Sequence, residues 1–185
     1  MVEKKKKKIE NIKKIKASFA RERVIAEASQ EAKELYNQSR FGELKEDNVQ
    51  YSLVESLYLL EKKRMEIKGY KNKKIKVEEF IKKAQKVEPN FWVRYCVFKD
   101  VRNRGYIIKT ALKFGADFRI YERGVKPGED HAKWIVYPIS EADVMTMYEF
   151  AAKNRVAHST KKRLLMAIVD AENDVTFYEC NWVRP

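Results

Sequence analysis

The sequence predicts an α/β protein of two domains in which strands and helices mix. Three observations lead to this class. Short apolar runs alternate as strands do, other segments repeat with helical spacing, and the character of the sequence changes near residue 90. A chain of 185 residues holds one or two small domains, each able to bury a core. We therefore expect a small N-terminal α/β domain over residues 1–89. A second domain, with a mixed sheet flanked by helices, should span residues 90–185.

The N-terminal half begins with strands and continues with helices. The stretch "SFARERVIAEAS" alternates like a strand pair, and "SQEAKELYNQS" predicts a helix capped by Ser29. In "SLVESLYLLEKK", Leu53, Leu57 and Leu60 share one helical face. The segment "VEEFIKKAQKV" predicts a further helix, which Pro89 ends.

The C-terminal half begins with a helix and is otherwise rich in strands. Asn90 is expected to cap the helix "FWVRYCVFKDVRNRG", and Gly105 is suited to end it. The runs "YIIKTAL", "DFRIYE" and "AKWIVY" predict strands. A helix is expected to open at Ser140, with Asp143 completing a capping box. The runs "LLMAIVD" and "VTFYECNWV", joined by an acidic turn, predict the last two strands of a mixed sheet.

The charge of the chain indicates a polyanionic partner. Forty Lys and Arg against 27 Asp and Glu give a net charge of +13 and a pI near 9.6. Nucleic acid is the first candidate and an anionic membrane surface the second. The run Lys4–Lys8 fits either a phosphate-attracting arm or a solubilising tail. No apolar run approaches the roughly 20 residues of a membrane span, so we expect a soluble, cytoplasmic protein.

Several common catalytic and metal-binding motifs are absent from the sequence. There is no GxxxxGK[ST], GxGxxG or GxSxG, and the two cysteines lie outside any CxxC pair. The turn at Asp170, Glu172 and Asp174 begins like a calcium loop. It then places Val175 where that loop needs Gly, and Asn181 where it needs Glu. We therefore expect neither a metal site nor a cofactor.

Metal-free chemistry suits RNA, which carries its own nucleophile in the 2′-hydroxyl. A nuclease then needs a proton acceptor, a proton donor and a cation for the charge growing on phosphorus. In "DFRIYERGVKPGEDHAKWIVY", Tyr121 and His131 lie at the two rims of one loop. Histidine exchanges protons near neutrality, whereas a basic tyrosine requires a nearby cation to lower its pKa. The residues alone leave the cation open among Lys161, Lys162 and Arg163.

The same segments resemble a known family. "FKDVRNRGYIIKTALKFGADFRIYERG", a histidine after the loop, "RVAHSTKKRLL" and "YECNWVRP" are similar to the archaeal tRNA-splicing endonucleases. The resemblance covers residues 91–185, and in the N-terminal half it is clear only in "SLVESLYLL". One departure is Ala111, where relatives often have Gly after "KT".

The resemblance implies roles for five residues. Tyr121 would be the general base, His131 the general acid and Lys162 the electrostatic stabiliser, the lysine being selected by its register in "SxxKxL". Arg155 and Trp182 would clamp an extruded base between two subunits, an arrangement that base stacking and cation–π attraction stabilise. Taken singly, each residue also fits an ordinary structural role, so the assignment depends on their joint placement within the resemblance.

The resemblance also implies an activity and an assembly. The chain would cut precursor tRNA at bulge-helix-bulge intron boundaries, leaving 2′,3′-cyclic phosphate and 5′-hydroxyl ends. Asp170, Glu172 and Asp174 would insert into a basic groove of a neighbouring subunit, giving a homotetramer. The alternatives are a solvated hairpin tip for the acidic turn, and a noncatalytic RNA-binding or scaffold subunit for the chain. A metal-dependent, restriction-like nuclease would need paired carboxylates, which the sequence lacks.

Overall fold

A computed structural model describes residues 13–183 of the chain, apart from the side chain of Phe114. The chain divides between Pro89 and Asn90 into two compact units. In the described residues each unit contains a five-stranded mixed sheet and helices, which confirms the predicted α/β class. The lysine run Lys4–Lys8 lies outside the described residues. None of the helices within residues 13–183 has the length and apolar content that a membrane span requires.

The elements of the first unit are β1 (Ile15–Ala20), β2 (Arg23–Glu27), α1 (Gln30–Ser39), β3 (Glu43–Leu44), β4 (Asn48–Tyr51), α2 (Leu53–Glu61), β5 (Met65–Lys68) and α3 (Val77–Val87). Its sheet has the order β3-β4-β2-β1-β5, in which only β1 and β5 run parallel. The paired strands β1 and β2 and the three predicted helices are confirmed, and Ser29 caps the first helix through its hydroxyl. Strands β3, β4 and β5 were not predicted.

A buried carboxylate ties helix α2 to the loop after α1. Glu55 forms a capping box with Ser52 and also accepts a hydrogen bond from the Gly42 backbone N–H at 3.0 Å. Gly42 has φ +73°, and a Cβ there would lie 2.6 Å from a Val49 methyl carbon. Only glycine allows the backbone to approach Glu55 and Val49 in this way.

The elements of the second unit are α4 (Phe91–Asn103), β6 (Ile107–Thr110), β7 (Phe118–Tyr121), β8 (Trp134–Ser140), α5 (Met147–Ser159), β9 (Arg163–Val169) and β10 (Val175–Cys180). Its sheet has the order β10-β9-β8-β7-β6, in which only β8 and β9 run parallel. A parallel pair requires a crossover, and helix α5 supplies it. The predicted strands of this half are confirmed.

One helix start predicted in this half is wrong, the helix that follows Asn90 begins where predicted but without a side-chain cap, and one helix end is confirmed. Strand β8 continues through Ser140, so α5 cannot open there; it begins with a capping box between Thr146 and Glu149. The Asn90 side chain makes no cap hydrogen bond to α4. Gly105 follows α4 with φ +85°, as its sequence position predicts.

Helices cover both faces of this sheet. The rings of Phe98 on α4 and Phe118 on β7 lie 6.2 Å apart. On the other face, Ala157 of α5 packs in one cluster with Ile135 of β8 and Leu164 of β9. The candidate site residues lie at the ends of the strands between these two helices.

Candidate active site

Three neighbouring strands of the second sheet have ends at one edge, where edge means the line along the strand ends and not the side of an outer strand. Ile120 near the end of β7, Trp134 at the start of β8 and Arg163 at the start of β9 lie directly opposite one another. Because β7 runs antiparallel to β8, the end of β7 lies beside the beginnings of the other two strands. Residues that are distant in sequence are therefore neighbours at this edge.

The next row contains two of the predicted residues. The Lys133 N–H donates to the Ile120 carbonyl at 3.0 Å, and the Arg163 N–H donates to the Lys133 carbonyl at 3.0 Å. The backbones of Tyr121, Lys133 and Lys162 are therefore neighbours just beyond the assigned strands. The N–H of Lys133 points to β7 and its carbonyl to β9, so this residue departs from regular strand geometry, and its ammonium lies 4.7 Å from the Trp134 ring centroid. With strands about 4.8 Å apart, the Tyr121 and Lys162 Cα atoms are separated by about 10 Å.

Tyr121 and Lys162 belong to the face of the sheet that α5 covers. Side chains alternate along a strand, so Tyr121 shares a face with Arg119, which lies opposite Ile135, and Lys162 shares a face with Leu164. Ile135 and Leu164 pack against Ala157 of α5. Tyr121 and Lys162 thus lie where the apolar cluster under α5 gives way to polar side chains.

Lys162 is held by the end of helix α5. The N–H of Lys161 donates to the His158 carbonyl at 3.0 Å, and the N–H of Lys162 donates to the Ala157 carbonyl at 2.9 Å. With Lys161 at φ 53°, these two bonds form a Schellman motif, which ends the helix sharply. The Lys162 ammonium donates to the Thr160 carbonyl at 2.9 Å. The turn thereby fixes both the backbone and the amino group of Lys162.

Tyr121 is buried, and this changes its acid–base chemistry. Its side chain is 3% exposed, and the Arg119 guanidinium carbon lies 5.7 Å from its ring centroid. Burial raises the pKa of Tyr121, and the positive charge of Arg119 opposes that rise only in part. A basic role was expected to come with a lowered pKa. The direction is opposite, so the phenol is neutral in the free protein near pH 7.

His131 lies on an exposed loop at the same edge. Its backbone N–H donates to the Asp130 carboxylate at 2.6 Å. At the base of the loop, the Lys133 ammonium donates to the Glu122 carboxylate. This ion pair joins the residue after β7 to the residue before β8. His131 is therefore two residues from the row, at the point where the loop rejoins the sheet.

Arg155 and Trp182 are both exposed, and within one chain each contacts a different ring. The Arg155 guanidinium carbon lies 5.9 Å from the Tyr148 ring centroid. The Trp182 indole, 56% exposed, packs edge-on against His158 at 4.6 Å between ring centroids. These two side chains present a cation and a large aromatic plane to solvent.

The acidic turn joins β9 to β10. A carboxylate oxygen from each of Asp170, Glu172 and Asp174 lies within 4.8 Å of the others, the one cluster with metal-ligand geometry in the described part of the chain. One Asp170 oxygen already accepts the backbone N–H groups of Glu172 and Asp174, each at 2.9 Å. The three carboxylates are therefore close together because Asp170 forms the hydrogen bonds of the turn itself.

Two side chains at this edge were not singled out from the sequence. Lys133 lies between Tyr121 and Lys162, and Arg119 lies beside the Tyr121 ring. Alternation in "HAKWIVY" gives no signal for Lys133, because the pattern breaks there and its ammonium lies over the ring of the next residue, Trp134. For Arg119 a signal is present, because alternation in "DFRIY" sets it on the same strand face as Tyr121.

Both units match one protein family. Residues 15–81 match the tRNA intron endonuclease N-terminal domain, and residues 91–177 match the tRNA intron endonuclease catalytic C-terminal domain. The chain is 39% identical over 171 residues to the tRNA-splicing endonuclease of Methanothermobacter thermautotrophicus, covering 92% of this chain and 99% of that relative.

Two further relatives show similar agreement. The tRNA-splicing endonuclease of Nanoarchaeum equitans is 44% identical over 146 residues, which cover 75% of this chain and 92% of the relative. That of Thermococcus onnurineus is 35% identical over 170 residues, covering 92% and 97%. With matches in both units and over nearly the whole length of its relatives, the chain belongs to the tRNA intron endonuclease family.

Proposed function

We propose that the chain removes introns from precursor tRNA by metal-independent cleavage at bulge-helix-bulge splice sites. Membership of the family supports tRNA intron cleavage itself. The observation that supports the detailed mechanism is that Tyr121 at the end of β7 and Lys162 before β9 lie at one sheet edge, with His131 on the loop that rejoins the same edge. These side chains supply a phenol, an imidazole and an ammonium group.

In the proposed reaction the 2′-oxygen bonds to the adjacent phosphorus as its proton passes to the phenolate oxygen of Tyr121. The bond from phosphorus to the 5′-oxygen breaks, and His131 gives that oxygen a proton. The products are a 2′,3′-cyclic phosphate and a 5′-hydroxyl. Lys162 stabilises the negative charge on the phosphorane, a role for which a fixed ammonium is suited because it needs no reorganisation.

The raised pKa of Tyr121 has a kinetic consequence for this mechanism. Since the phenol is neutral in the free protein, the reaction draws on a small phenolate fraction. As long as the pH is below the pKa, the phenolate fraction grows about tenfold for each unit by which the pH is raised. Arg119, 5.7 Å from the ring centroid, increases the fraction by stabilising the phenolate charge.

Substrate grip and assembly extend the proposal to other parts of the chain. Arg155 and Trp182 from two subunits would hold an extruded base between guanidinium and indole. Both side chains are exposed, which is what such a contact requires. The acidic turn would dock on a basic surface of another copy in a homotetramer. The +13 net charge of the chain supports this, because every copy offers complementary surfaces.

A noncatalytic scaffold subunit is the second candidate. A scaffold has no need of a tyrosine, a histidine and a lysine brought to one edge, so their presence favours the enzyme. The two functions differ in a direct assay: a scaffold binds precursor tRNA and leaves it intact when the purified chain is tested alone.

The test is incubation of the purified chain with a prefolded intron-containing precursor in excess EDTA, followed by analysis of the RNA ends. We expect cleavage with a cyclic phosphate at the upstream end. Prefolding separates loss of RNA structure from loss of catalysis, and a His131→Ala chain purified in the same way controls for a contaminating nuclease. Cleavage that stops with EDTA and returns with magnesium would contradict the mechanism.

A further inference from the structure

The turn that follows strand β5 in the first unit is sharply defined. The Gly69 N–H donates to the Lys73 carbonyl at 2.8 Å, and the Lys73 N–H donates to the Tyr70 carbonyl at 3.3 Å. Between them, Lys71 and Asn72 have φ of 55° and 59°. Two consecutive positive φ values are typical of a type I′ turn. Lysine adopts this conformation at a cost in backbone strain, and such strain is found more often at functional sites.

The base of this turn is anchored in the core of the first unit. Ile67 and Ile75 are 0% and 2% exposed, and the Ile75 N–H donates to the Ile67 carbonyl at 2.9 Å. Next to this pair, on the side of the turn, Lys68 and Lys74 form an isolated antiparallel bridge. Tyr70 is nevertheless 87% exposed. We call residues 68–74 the Tyr70 tip; it holds an aromatic ring away from a rigid base.

The surroundings of the Tyr70 tip are strongly basic. Glu66 accepts a hydrogen bond from the Lys74 ammonium at 2.7 Å. This bond, with the charges of Lys74, Lys14 and Lys68, lowers the pKa of Glu66. Lys16 lies directly opposite Glu66 on the neighbouring strand. Among these described neighbours of the tip, Glu66 is accompanied by Lys14, Lys16, Lys68 and Lys74, so the charge of the group is positive.

We propose that the Tyr70 tip is an RNA-binding site in which the Tyr70 ring stacks on an unpaired base and neighbouring lysines contact phosphates. The Lys71 ammonium lies 5.6 Å from the Tyr70 ring centroid, so a stacking plane and a cation are adjacent. Aromatic stacking combined with positive charge is the general means by which proteins hold single-stranded nucleic acid. The inference rests on the proposed function, in that precursor tRNA is the RNA bound.

The composition of the surface favours RNA over a membrane or a protein partner. In the described part of the first unit, the large apolar side chains that are exposed are Leu44, Tyr70 and Val87. Only Tyr70 belongs to the tip. A membrane or a protein core contact requires a wider apolar patch, whereas a nucleobase needs a single ring.

The first test measures equilibrium binding of a precursor tRNA that carries 2′-deoxy nucleotides at both cleavage sites. This RNA lacks the nucleophile and remains intact, so the measured Kd does not depend on cleavage. We expect Tyr70→Ala to raise the Kd about tenfold. Tyr70→Phe, which keeps the ring, is expected to bind as the unmodified chain does. An unchanged Kd for Tyr70→Ala would overturn the proposal.

The second test concerns the lysines. The double substitution of Lys71 and Lys73 by Ser is expected to reduce the slope of log K against log salt by about 0.7 for each phosphate that no longer pairs with a lysine. Serine at both Lys82 and Lys86, which are exposed on α3, removes the same charge and is expected to leave the slope unchanged. An equal effect of both pairs would show that only net charge matters and would contradict a defined site at the tip.

Light scattering on the Tyr70→Ala chain distinguishes RNA from a second copy of the protein as the occupant. A smaller assembly with an unchanged RNA Kd would assign the tip to contact between copies and contradict the proposal. Binding that weakens as expected while His131→Ala still cleaves would retain the RNA site and reject the catalytic assignment. The two proposals therefore fail separately.

Discussion

Tyr121 and Lys162 occupy the two ends of one row across three strands, with Lys133 between them. Sheet pairing positions Tyr121 and the turn after α5 positions Lys162, although 41 positions separate them in the sequence. An active site built on strand ends is held more precisely than one built on loops alone.

We expect Tyr121→Phe to slow single-turnover cleavage by about 10²- to 10⁴-fold, since it removes only the hydroxyl that accepts the proton. Tyr137→Phe is the matched control. Tyr137 is also buried and its pKa is also raised by burial, but its hydroxyl donates to the Gly115 carbonyl at 3.0 Å. The control should lose about 1 kcal/mol of stability and keep its cleavage rate. Equal rates for the two variants would exclude Tyr121 as the base.

His131→Ala is expected to be slow on ordinary RNA and to recover on RNA with sulfur in place of the leaving 5′-oxygen. A thiolate leaves without a proton, so such a substrate needs no general acid. His158→Ala is the control, because His158 is the other histidine and packs against Trp182. It should keep its rate at saturating RNA. Slow cleavage of the sulfur substrate by His131→Ala would mean that His131 has another role.

For the cation, we expect Lys162→Gln to lower the rate about 10²- to 10³-fold, as removal of a fixed stabilising group does elsewhere. Lys161→Asn removes the neighbouring charge and suits the positive φ of that position. It should cleave at the parental rate. Single-turnover rates and RNA affinities of both variants are measured together. A slow Lys161→Asn beside an active Lys162→Gln would move the role to Lys161.

The pH dependence of cleavage tests the raised pKa of Tyr121. With the sulfur substrate the rate reports the base alone and should rise about tenfold per pH unit through pH 9, because the phenolate fraction is still growing. Arg119→Gln removes the opposing positive charge, so the pKa rises further and the rate falls at every pH with the same slope. A rate that levels near pH 7 would show that the base is another group.

Substitution of Asp170, Glu172 and Asp174 by Ser is expected to leave the chain folded, to yield dimers in light scattering and to impair cleavage. Charge pairs buried between copies would be removed with these acids, at a cost of several kcal/mol. Thermal unfolding checks the fold, since Asp170 also accepts two backbone N–H groups of its own turn. A full-sized, fully active assembly would indicate a solvated turn.

The sequence predicted the elements whose signals are local. Ser29 precedes a helix that it caps, and the alternating runs of the C-terminal half became strands. Strands β3, β4 and β5 have four residues or fewer and form only because neighbours pair with them. Ser140 and Asp143 have the spacing of a capping box, but pairing of Ser140 with Val169 keeps that residue in a strand.

In the candidate site, too, residues with a local signal could be predicted and residues placed by tertiary structure could not. Tyr121 and His131 could be chosen from residue chemistry and from the loop between them, whereas choosing Lys162 over its neighbours needed a resemblance. Neither approach identified Lys133, because its place depends on register between β7, β8 and β9. The raised pKa of Tyr121 could not be predicted from the sequence either, since it depends on how deeply the side chain is buried.

The Schellman turn at the end of α5 restricts how the length of the chain can change. Thr160, Lys161 and Lys162 alone join α5 to β9, and hydrogen bonds fix both ends of that segment. Inserting or deleting one residue there would turn Lys162 to the opposite face of the sheet. Between β7 and β8, by contrast, the ion pair of Glu122 and Lys133 joins the two ends of the loop. Insertions between those two residues leave the row undisturbed, so natural length variation should concentrate there and be excluded from the helix–strand junction.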